Sequence, residues 1–513
     1  MKLNYKRTIC VGFAFFLICA FWQAYDTIIP LILTNKFGMK QSWSGVIMAL
    51  DNILALFMLP LFGAISDRHN SKLGRRTPFI LIGTIVAAVA FVGLSVADNM
   101  QLKNLDNVSS IDDPAALVEI YNVEANNKLM TPDGENFVLS EAFTAEEFCA
   151  IRSVDETGAT TAEYTNYVVP ARQAYAWQVT AESPATLIFF AGLLLIVLVS
   201  MATFRSPAVA LMPDVTIKPL RSKGNAIINL MGALGGVIVL ALGIVFSTSS
   251  VKNSLMSYTG FFSIISALML VALLIFMLTV REPKFVKEMQ EESAKFGIDE
   301  STEDESGEKR RLSKAEVRSL LFILASIVLW YFGYNAVTSK YSVYASNILH
   351  KDYNLTLIIA QAAAIVSYLP VGIVSSKVGR KKAVLAGVIM LAVAFGVAGL
   401  MRADSPTMLM NCLFALAGIA WATINVNSFP MVVEMSSGAD VGKYTGFYYT
   451  ASMAAQVATP MLSGLLMDNM GMTVLFPYAT IFVALAFVTM LFVKHGDSKP
   501  EIRSGLEAFD FDD

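Results

Sequence analysis

The chain contains a series of long apolar stretches that are almost free of charge, and no other feature constrains its fold as strongly. A helix needs about 20 predominantly apolar residues to cross the hydrocarbon core of a bilayer. Of the 513 residues, 55% are hydrophobic and only 15% are charged, whereas a soluble domain is about a quarter charged. Since the apolar residues form continuous blocks rather than stripes, the sequence predicts an all-α protein that crosses the membrane many times.

Twelve stretches are long enough to be spanning helices. The predicted spans lie near residues 8–34, 44–66, 76–97, 184–210, 222–247, 258–280, 319–345, 355–377, 381–401, 406–433, 443–468 and 471–494. The first stretch is too long and too aromatic for a removable signal peptide. An even number of spans places both termini on the same side of the membrane.

Basic residues in the short connections predict the orientation of the spans, because loops rich in Lys and Arg remain in the cytoplasm. One set of connections carries nearly all of these residues, at Lys6, Arg7, 68–76, 218–223, 309–314, 377–382 and Lys494. The opposite set is poor in basic residues. We therefore expect an integral protein of a bacterial-type cell membrane with both termini in the cytoplasm.

Two long hydrophilic connections predict the domain organisation. Residues 98–183 form an outer insertion with fifteen acidic and four basic residues, and with too few apolar clusters to predict a fold. Residues 281–318 form a cytoplasmic linker whose charged composition is typical of mobile tethers. The expected domains are a six-helix bundle over 1–280, a second six-helix bundle over 319–494 and a cytoplasmic tail over 495–513.

A short motif recurs at equivalent points of the two halves, which indicates an internal repeat. After the second span, Gly63 begins Gly-Ala-Ile-Ser-Asp-Arg, and Gly-Arg-Arg follows at 74–76. After the eighth span, Gly372 begins Gly-Ile-Val-Ser-Ser-Lys, and Gly-Arg-Lys-Lys follows at 379–382. An acid and a lysine nine residues apart follow the fourth and tenth spans, as Asp214 with Lys223 and Glu434 with Lys443.

The loop after the second span resembles the signature loop of the major facilitator superfamily. Its longer spacing, from Ser66 to Gly-Arg-Arg-Thr-Pro-Phe at 74–79, is similar to that of the glycoside–pentoside–hexuronide cation symporters and the related sucrose transporters. The stretch from Arg205 to Asp214 is similar to the end of the fourth helix of sucrose transporters. The resemblance implies two pseudo-symmetric six-helix bundles that transport a sugar or glycoside together with a cation.

The charged residues of the repeated loops are candidates for a cytoplasmic gate. Arginines at the ends of helices can pair with nearby acids, and such a cluster can hold one side shut and then release it. Alternatively, the basic residues only determine topology. The recurrence of acidic partners favours a gate, with the candidates Asp67, Arg68, Gly74, Arg75, Arg76, Asp214, Gly379, Arg380, Lys381 and Glu434.

Charged residues inside the predicted spans are candidates for ion coupling, since a charge within the bilayer is costly and usually functional. Asp26 and Asp51 lie at similar depth in the outer half of the first and second spans, and Lys340 is expected in the same layer. Two carboxylates and an amine at one depth could bind a proton or a sodium ion. Alternatively, the three residues form a permanent salt bridge or lie exposed at the outer helix ends.

Polar and aromatic residues within the spans favour a hydroxylated solute, because sugar rings stack on aromatic faces while amides and carboxylates bind hydroxyl groups. Aromatic residues near helix ends could instead form an interfacial belt. Arg205 could bind the solute, pair with a carboxylate or join the gate. The candidates for solute binding are Trp22, Gln23, Arg205, Asn225, Asn229, Tyr331, Asn335, Gln361, Asn425 and Asn427.

The sequence offers no sign of catalysis, a cofactor or nucleic-acid binding. His69, His350 and His495 lie in predicted loops, and neither a metal-spaced cluster nor a glycine-rich phosphate loop occurs. A gradient of solute or ion must therefore drive any transport. We expect a secondary active transporter that imports a sugar or glycoside by proton-coupled symport and works by alternating access. The alternatives are an exporter of amphipathic compounds, suggested by 33 Phe and 25 Met, and a transporter-like receptor that uses the acidic outer loop.

Overall fold

The computed structural model describes residues 3–217, 220–295, 312–433, 435 and 441–496. Within these ranges, the description does not extend to the side chains of residues 221–223, 225, 226, 369, 376, 433, 441–443 and 445. The side chain of Asn225 and the whole of Glu434, two residues singled out from the sequence, therefore lie outside the description. Apart from one short hairpin, the regular structure of the described chain is helical.

Six long helices of the N-terminal half share one buried apolar core. In chain order this half contains α1 (Tyr5–Asn35), α2 (Gln41–Arg68), α3 (Thr77–Asn104), the short helices α4 (Pro114–Glu124), α5 (Leu139–Ala142), α6 (Ala145–Ala150) and α7 (Val169–Glu182), then α8 (Ala185–Asp214), α9 (Arg221–Val245) and α10 (Thr259–Thr279).

Six further long helices form the C-terminal half around a second core. A connecting helix, α11 (Glu282–Lys295), precedes them. They are α12 (Lys314–Tyr344), α13 (Tyr353–Val378), α14 (Arg380–Ala398), α15 (Thr407–Val433), α16 (Val441–Met470) and α17 (Leu475–Leu491).

Ten of the twelve long helices contain segments that are long and apolar enough to cross a membrane. The other two are α13, with a shorter apolar segment at Tyr353–Tyr368, and α16, which carries Gln456 and Asp468 within its length. A helix satisfies its own backbone N–H and C=O groups, as the hydrocarbon core requires of any chain that spans it. The all-α, twelve-helix architecture predicted from the sequence is confirmed.

The helices run between two ends of the molecule, which we call the terminal face and the loop face. The terminal face carries the start of α1 and the end of α17. The loop face carries the insertion between α3 and α8, together with the turns that follow α1, α9, α12 and α16.

The insertion folds around a small core of its own, although the sequence predicted no fold for it. Leu117 and Ile120 of α4 and Phe148 of α6 are buried in this core. A hairpin of β1 (Lys128–Met130) and β2 (Asn136–Val138) pairs antiparallel beside them. Each short segment contributes only a few apolar residues, so no periodic pattern revealed the core. The spanning helix α3 also continues to Asn104, beyond the predicted end near residue 97.

Part of the predicted mobile linker is an ordered helix, which corrects the expectation from its charged composition. Glu288 of α11 pairs with Arg7 of α1 at 3.5 Å, and Met289 belongs to a small buried cluster with Leu3 and Ile217. The helix is amphipathic, and Phe285 and Val286 also pack against the N-terminal core. Residues 296–311 of the linker lie outside the described residues.

Candidate transport site

A cavity of about 1090 Å³ lies between the two halves. Its lining comes from α1, α2, α8 and α9 on one side and from α12 to α16 on the other. Its lining runs from Leu357 and Phe395, near the loop-face ends of α13 and α14, to Ile227, Pro430 and Tyr448, near the terminal-face ends of α9, α15 and α16. Its volume is at the upper end of the range found for small-molecule sites.

The N-terminal wall of the cavity carries its charged groups. Trp22, Gln23 and Asp26 line the cavity from α1, and Asn52 and Arg205 line it from α2 and α8. The guanidinium carbon of Arg205 lies 5.8 Å from the centroid of the Trp22 ring, within the range of a cation–π interaction. The structure thus brings together four residues that the sequence singled out, and it adds Asn52.

Asp51 stands behind this wall rather than in its lining. Its Oδ1 atom accepts a hydrogen bond of 2.8 Å from the side-chain amide of Asn52. The carboxylate of Asp51 also interacts electrostatically with Asp26 and with Arg205. Asn52 therefore connects Asp51 to the cavity, and the two carboxylates form one electrostatic unit with an arginine beside it.

The C-terminal wall is aromatic. The rings of Tyr334 and Trp421 are stacked, with 3.5 Å between their centroids and 2° between their planes. Tyr331 meets the same indole edge-on, at 5.3 Å and 83°. Asn335 and Asn425 line this wall beside the rings. Three of these five residues, Tyr331, Asn335 and Asn425, are among the candidates for solute binding that the sequence gave, and all five share one surface.

A hydrogen bond crosses the cavity between the halves. The amide Nε2 of Gln361 on α13 donates to Oε1 of Gln23 on α1 at 2.5 Å. Asn229 of α9 lines the cavity as well. The two glutamines are therefore close enough to bind each other, and a solute of sufficient size would separate them.

Two donors in the cavity lining lack a hydrogen-bond partner among the described residues. They are the indole Nε1 of Trp22 and the amide Nδ2 of Asn335, which belong to opposite walls. Buried polar groups in folded proteins are nearly always hydrogen-bonded. Both nitrogen atoms are buried, so a solute with oxygen acceptors would satisfy them once the surrounding side chains shift.

Lys340 is not brought to Asp26 or Asp51. Its Nζ atom is fully buried and donates to the backbone oxygen of Gln41 at 2.7 Å and to Oε1 of the same residue at 3.3 Å. Lys340 comes from α12 and Gln41 begins α2, so this contact joins the two halves at the loop face. The expected layer of two carboxylates and an amine is absent, because the lysine binds the end of a helix instead.

Further contacts close the loop face around this lysine. The carboxylate of Asp468 on α16 accepts hydrogen bonds from the backbone N–H groups of Gln41 and Ser42, at 2.7 and 2.8 Å. These N–H groups have no partner within α2, and an acid is favourable at a helix N-terminus. Gly45 of α2 lies so close to the backbone of Pro460 that a Cβ atom would clash. The halves are therefore tightly packed at the loop face, while the cavity extends toward the terminal face.

The predicted gate residues of the N-terminal half form a charge cluster at the terminal face. Arg76 pairs with Asp67 at 2.5 Å and with Asp214 at 2.9 Å, and its Nη1 donates to Ser66 Oγ at 2.6 Å. Arg75 reaches Asp214 at 3.4 Å. The cluster joins the ends of α2 and α8 to the start of α3, so all of its members belong to one half.

Glu282 completes this cluster, although the sequence did not single it out. Its carboxylate accepts hydrogen bonds from the backbone N–H groups of Arg75, Arg76 and Thr77, at 2.7 to 3.1 Å, and from the Thr77 hydroxyl at 2.7 Å. Gly74, with a φ of 114°, packs directly on this carboxylate. Glu282 follows α10 in the chain. An acidic residue just after the sixth span is the only feature of the sequence that could have pointed to it.

The C-terminal half repeats the geometry of this junction with different chemistry. Gly379 has a φ of 101°, close to that of Gly74, and Arg380 begins α14 as Thr77 begins α3. Here Lys381 donates to the backbone oxygens of Leu491 and Val493 at the end of α17, at 3.0 and 2.6 Å. Arg68, another predicted gate residue, is exposed at the end of α2.

Asn427 does not line the cavity, although it was predicted there with Asn425. It is buried, and its amide donates to the backbone oxygen of Thr423 at 2.9 Å. Residues two apart on a helix point in different directions, so Asn425 and Asn427 do not share a face. Among the groups that the structure describes, none with three or more His, Cys, Asp or Glu could hold a metal ion.

Comparison with known families gives two matches. The model of the Major Facilitator Superfamily matches residues 173–365 and 323–510, which together make up more than half of the chain. A model described as MFS/sugar transport protein matches residues 10–103.

Individual relatives agree with these matches. The sucrose transport protein SUC4 of Arabidopsis thaliana is 38% identical over 56 residues, which span 11% of this chain and only 11% of that relative. The xylose transporter XylE from E. coli, in an inward open conformation, superposes with a TM-score of 0.58 at 13% identity, covering 96% of this chain and 97% of that one. A bacterial homologue of the iron transporter ferroportin gives 0.58 at 12% identity, covering 96% and 98%. The nucleoside transporter NupG gives 0.54 at 12% identity, covering 96% and 100%.

Proposed function

Because the chain belongs to the Major Facilitator Superfamily, we propose that it is a secondary active transporter that imports a sugar or glycoside together with protons. It is a multi-pass membrane transporter and not an enzyme. The identity of the solute, the coupling ion and the direction of transport are the parts that we propose.

The observation that carries the proposal is the pairing of an aromatic wall with a charged wall across one cavity. A sugar ring presents an apolar C–H face, which suits the stacked rings of Tyr334 and Trp421. Its hydroxyl groups suit Asp26, Arg205 and the unpaired donors of Trp22 and Asn335. The volume is sufficient for more than one sugar ring, which favours a disaccharide or glycoside.

Proton coupling is proposed for Asp26 and Asp51. Two carboxylates that interact with each other bind protons as a coupled pair rather than independently. Loss of a proton leaves a net negative charge beside Arg205, and that change acts directly on the wall that contacts the solute. Solute and proton would then favour the same conformation, which is the requirement for coupled transport.

Alternating access is the proposed mechanism. In the described conformation the halves are joined at the loop face by Asp468, Lys340 and Gln41, and the cavity extends toward the terminal face. The basic terminal-face loops support a cytoplasmic location for that face and for both termini. The conformation would then be inward-facing, with the insertion outside a cell membrane.

The names of similar proteins support a sugar as the solute. The short match to the sucrose transport protein SUC4 and the family model described as MFS/sugar transport protein both favour it. Structural neighbours at 12–13% identity include transporters named for xylose and for nucleosides, so they support the fold and leave the solute open.

Uptake into proteoliposomes tests the proposal. A panel of radiolabelled mono- and disaccharides is offered under an inward proton gradient, with an inward sodium gradient as the parallel arm. We expect accumulation of one sugar in the proton arm and its loss on addition of an uncoupler. Accumulation in the sodium arm alone would change the ion and retain the sugar. Absence of sugar uptake in both arms would contradict the proposal and favour export of amphipathic compounds.

A receptor role is the remaining alternative, and it predicts a different effect of mutations in the insertion. A receptor that binds its ligand through the acidic loop would lose ligand binding when the surface acids of the insertion are neutralised. It would show no transport activity before or after this change. Glu146 and Glu156 are both exposed, so the double variant Glu146→Gln with Glu156→Gln tests this alternative. Uptake by this variant equal to that of the wild type would support a transporter over a receptor.

A further inference from the structure

The insertion is anchored to the N-terminal half through α7. Gln101 of α3 donates to the hydroxyl of Thr180 at 2.9 Å, and Gln173 donates to Asn35 at 3.2 Å. Gly38, in the turn after α1, lies against the backbone of α7 so closely that a Cβ atom would clash with Trp177. Helix α7 and the loop-face ends of α1 and α3 therefore behave as one packed unit.

The hairpin of the insertion docks on the opposite half. Its turn, Thr131–Glu135, reaches the turn between α16 and α17, where the N–H of Met472 donates to the oxygen of Pro132 at 2.6 Å. Gly134 and Gly471 pack backbone to backbone, and a Cβ atom on either one would clash with the other turn. The contact consists of main-chain atoms of two glycines with positive φ, at 97° and 88°.

A second contact joins the insertion to the C-terminal half at another point. The imidazole of His350, in the turn between α12 and α13, interacts with the backbone of Thr160. The insertion thus touches two of the loop-face turns of the C-terminal half while it remains fixed to the N-terminal half. It spans the same boundary that Asp468 and Lys340 close beneath it.

We propose that the insertion is a strap that holds the loop face closed and releases the turn at Gly471 whenever that face opens. This inference rests on the alternating access proposed above. A rigid unit fixed to both halves would prevent them from separating at the loop face. Since one anchor is a packed helix and the other is a small main-chain contact, release occurs at the hairpin.

A glycine pair in the insertion gives a matched test of the contact. Gly134→Ala places a Cβ atom against the backbone of Met470 and Gly471, whereas Gly158→Ala faces open space although Gly158 also has a positive φ, at 83°. Both variants carry the same kind of backbone strain, and only the first disturbs the docking. The comparison therefore separates loss of the strap contact from general destabilisation of the insertion.

The readout is access to the cavity from the loop face. Thr338 lines the cavity from α12, so Thr338→Cys serves as a reporter in a background with the four native cysteines replaced by alanine. A membrane-impermeant maleimide is applied to the loop-face side of oriented vesicles. We expect labelling to be about tenfold faster with Gly134→Ala, the equilibrium effect of losing a contact of ordinary strength, and unchanged with Gly158→Ala. Equal labelling rates in the two variants would overturn the proposal.

A crosslink tests release in the opposite direction. Pro132→Cys with Met472→Cys places thiols on residues joined by a backbone hydrogen bond, and a short bifunctional thiol reagent should link them. We expect the crosslink to abolish loop-face labelling of the reporter and sugar uptake, and cleavage of the reagent to restore both. Full labelling of the crosslinked protein, or failure of the crosslink to form, would overturn the strap. If no sugar is transported by any variant, the proposed function fails, while the labelling rates still decide the strap.

Discussion

The two walls of the cavity come from duplicated halves but differ in chemistry. The N-terminal wall holds Asp26 and Arg205, with Asp51 behind Asn52. The C-terminal wall holds the stacked rings of Tyr334 and Trp421. A duplicated helical scaffold therefore has its charges on one side and its aromatic surface on the other, and we infer that the first side serves coupling while the second recognises the solute.

The terminal face presents the same contrast in the junction between the third and sixth helices of each half. In the N-terminal half, the acid Glu282 after the sixth helix caps the N–H groups at the start of the third. In the C-terminal half, the base Lys381 at the start of the third helix caps the carbonyl groups at the end of the sixth. Both solutions satisfy unpaired groups at a helix end, with charges that suit the helix dipole.

The largest effect is expected from removing the charge of the N-terminal wall. Asp26→Asn or Asp51→Asn should abolish uphill accumulation of the solute, because the coupled proton site is lost, while exchange of solute across the membrane continues. Proton-driven uptake and counterflow in proteoliposomes measure the two activities separately. Asp106→Asn, on the exposed surface of the insertion, is the control. Full accumulation in both cavity variants would contradict the division of tasks between the walls.

A smaller and different effect is expected on the C-terminal wall. Trp421→Ala should raise the KM for uptake by about 10- to 100-fold, as expected for loss of the apolar contact surface of a large side chain, worth about 1.5–3 kcal/mol, while accumulation at saturating solute is retained. Trp421→Phe should recover much of the affinity. Trp43→Ala removes an exposed indole outside the cavity and is the matched control. Loss of coupling in Trp421→Ala without a change in KM would contradict the comparison.

The two terminal-face junctions are expected to contribute differently to the stability of the protein. Glu282→Ala removes a carboxylate with four donors and leaves the start of α3 unsatisfied, for which we expect a loss of about 2–3 kcal/mol. The measurement is the thermal unfolding of the detergent-solubilised protein, followed by tryptophan fluorescence. Glu282→Gln keeps acceptor capacity without the charge and should fall between the wild type and Glu282→Ala. An unchanged unfolding temperature in Glu282→Ala would show that the cap does not stabilise the fold.

The smallest effect is expected at the matching junction of the other half. Lys381→Met keeps the length of the side chain and removes a charge that caps two carbonyl groups, so we expect a loss of about 0.5–1 kcal/mol. The same unfolding measurement applies, and Lys382→Met, which is exposed, is the neighbouring control. A loss in Lys381→Met as large as that in Glu282→Ala would mean that the two junctions are equivalent despite their chemistry.

The number of spanning helices and their division into two halves are the part of this protein that its sequence determined. Long apolar stretches and the repeated Gly-Arg loops each follow from local composition, and they predicted twelve helices in two related halves. Asp26, Trp22, Asn335 and Asn425 were also found from the sequence, because polar and aromatic residues within an apolar span are conspicuous. The hydrocarbon core imposes these rules on each segment independently, so each segment can be interpreted alone.

Contacts between distant segments were decided only by the tertiary structure. Lys340 was expected beside the carboxylates but binds Gln41 at the start of α2, and Glu282 was overlooked because nothing near it in the chain pairs with it. Asn427 turns away from the cavity that Asn425 lines, since the choice of face depends on how the helix packs. The core of the insertion joins several short segments spread over residues 105–176, and the contact at Gly471 joins turns that are more than 300 positions apart. The apolarity and charge of a segment decide whether that segment spans the membrane. The partner of a buried polar group depends instead on how all segments pack together.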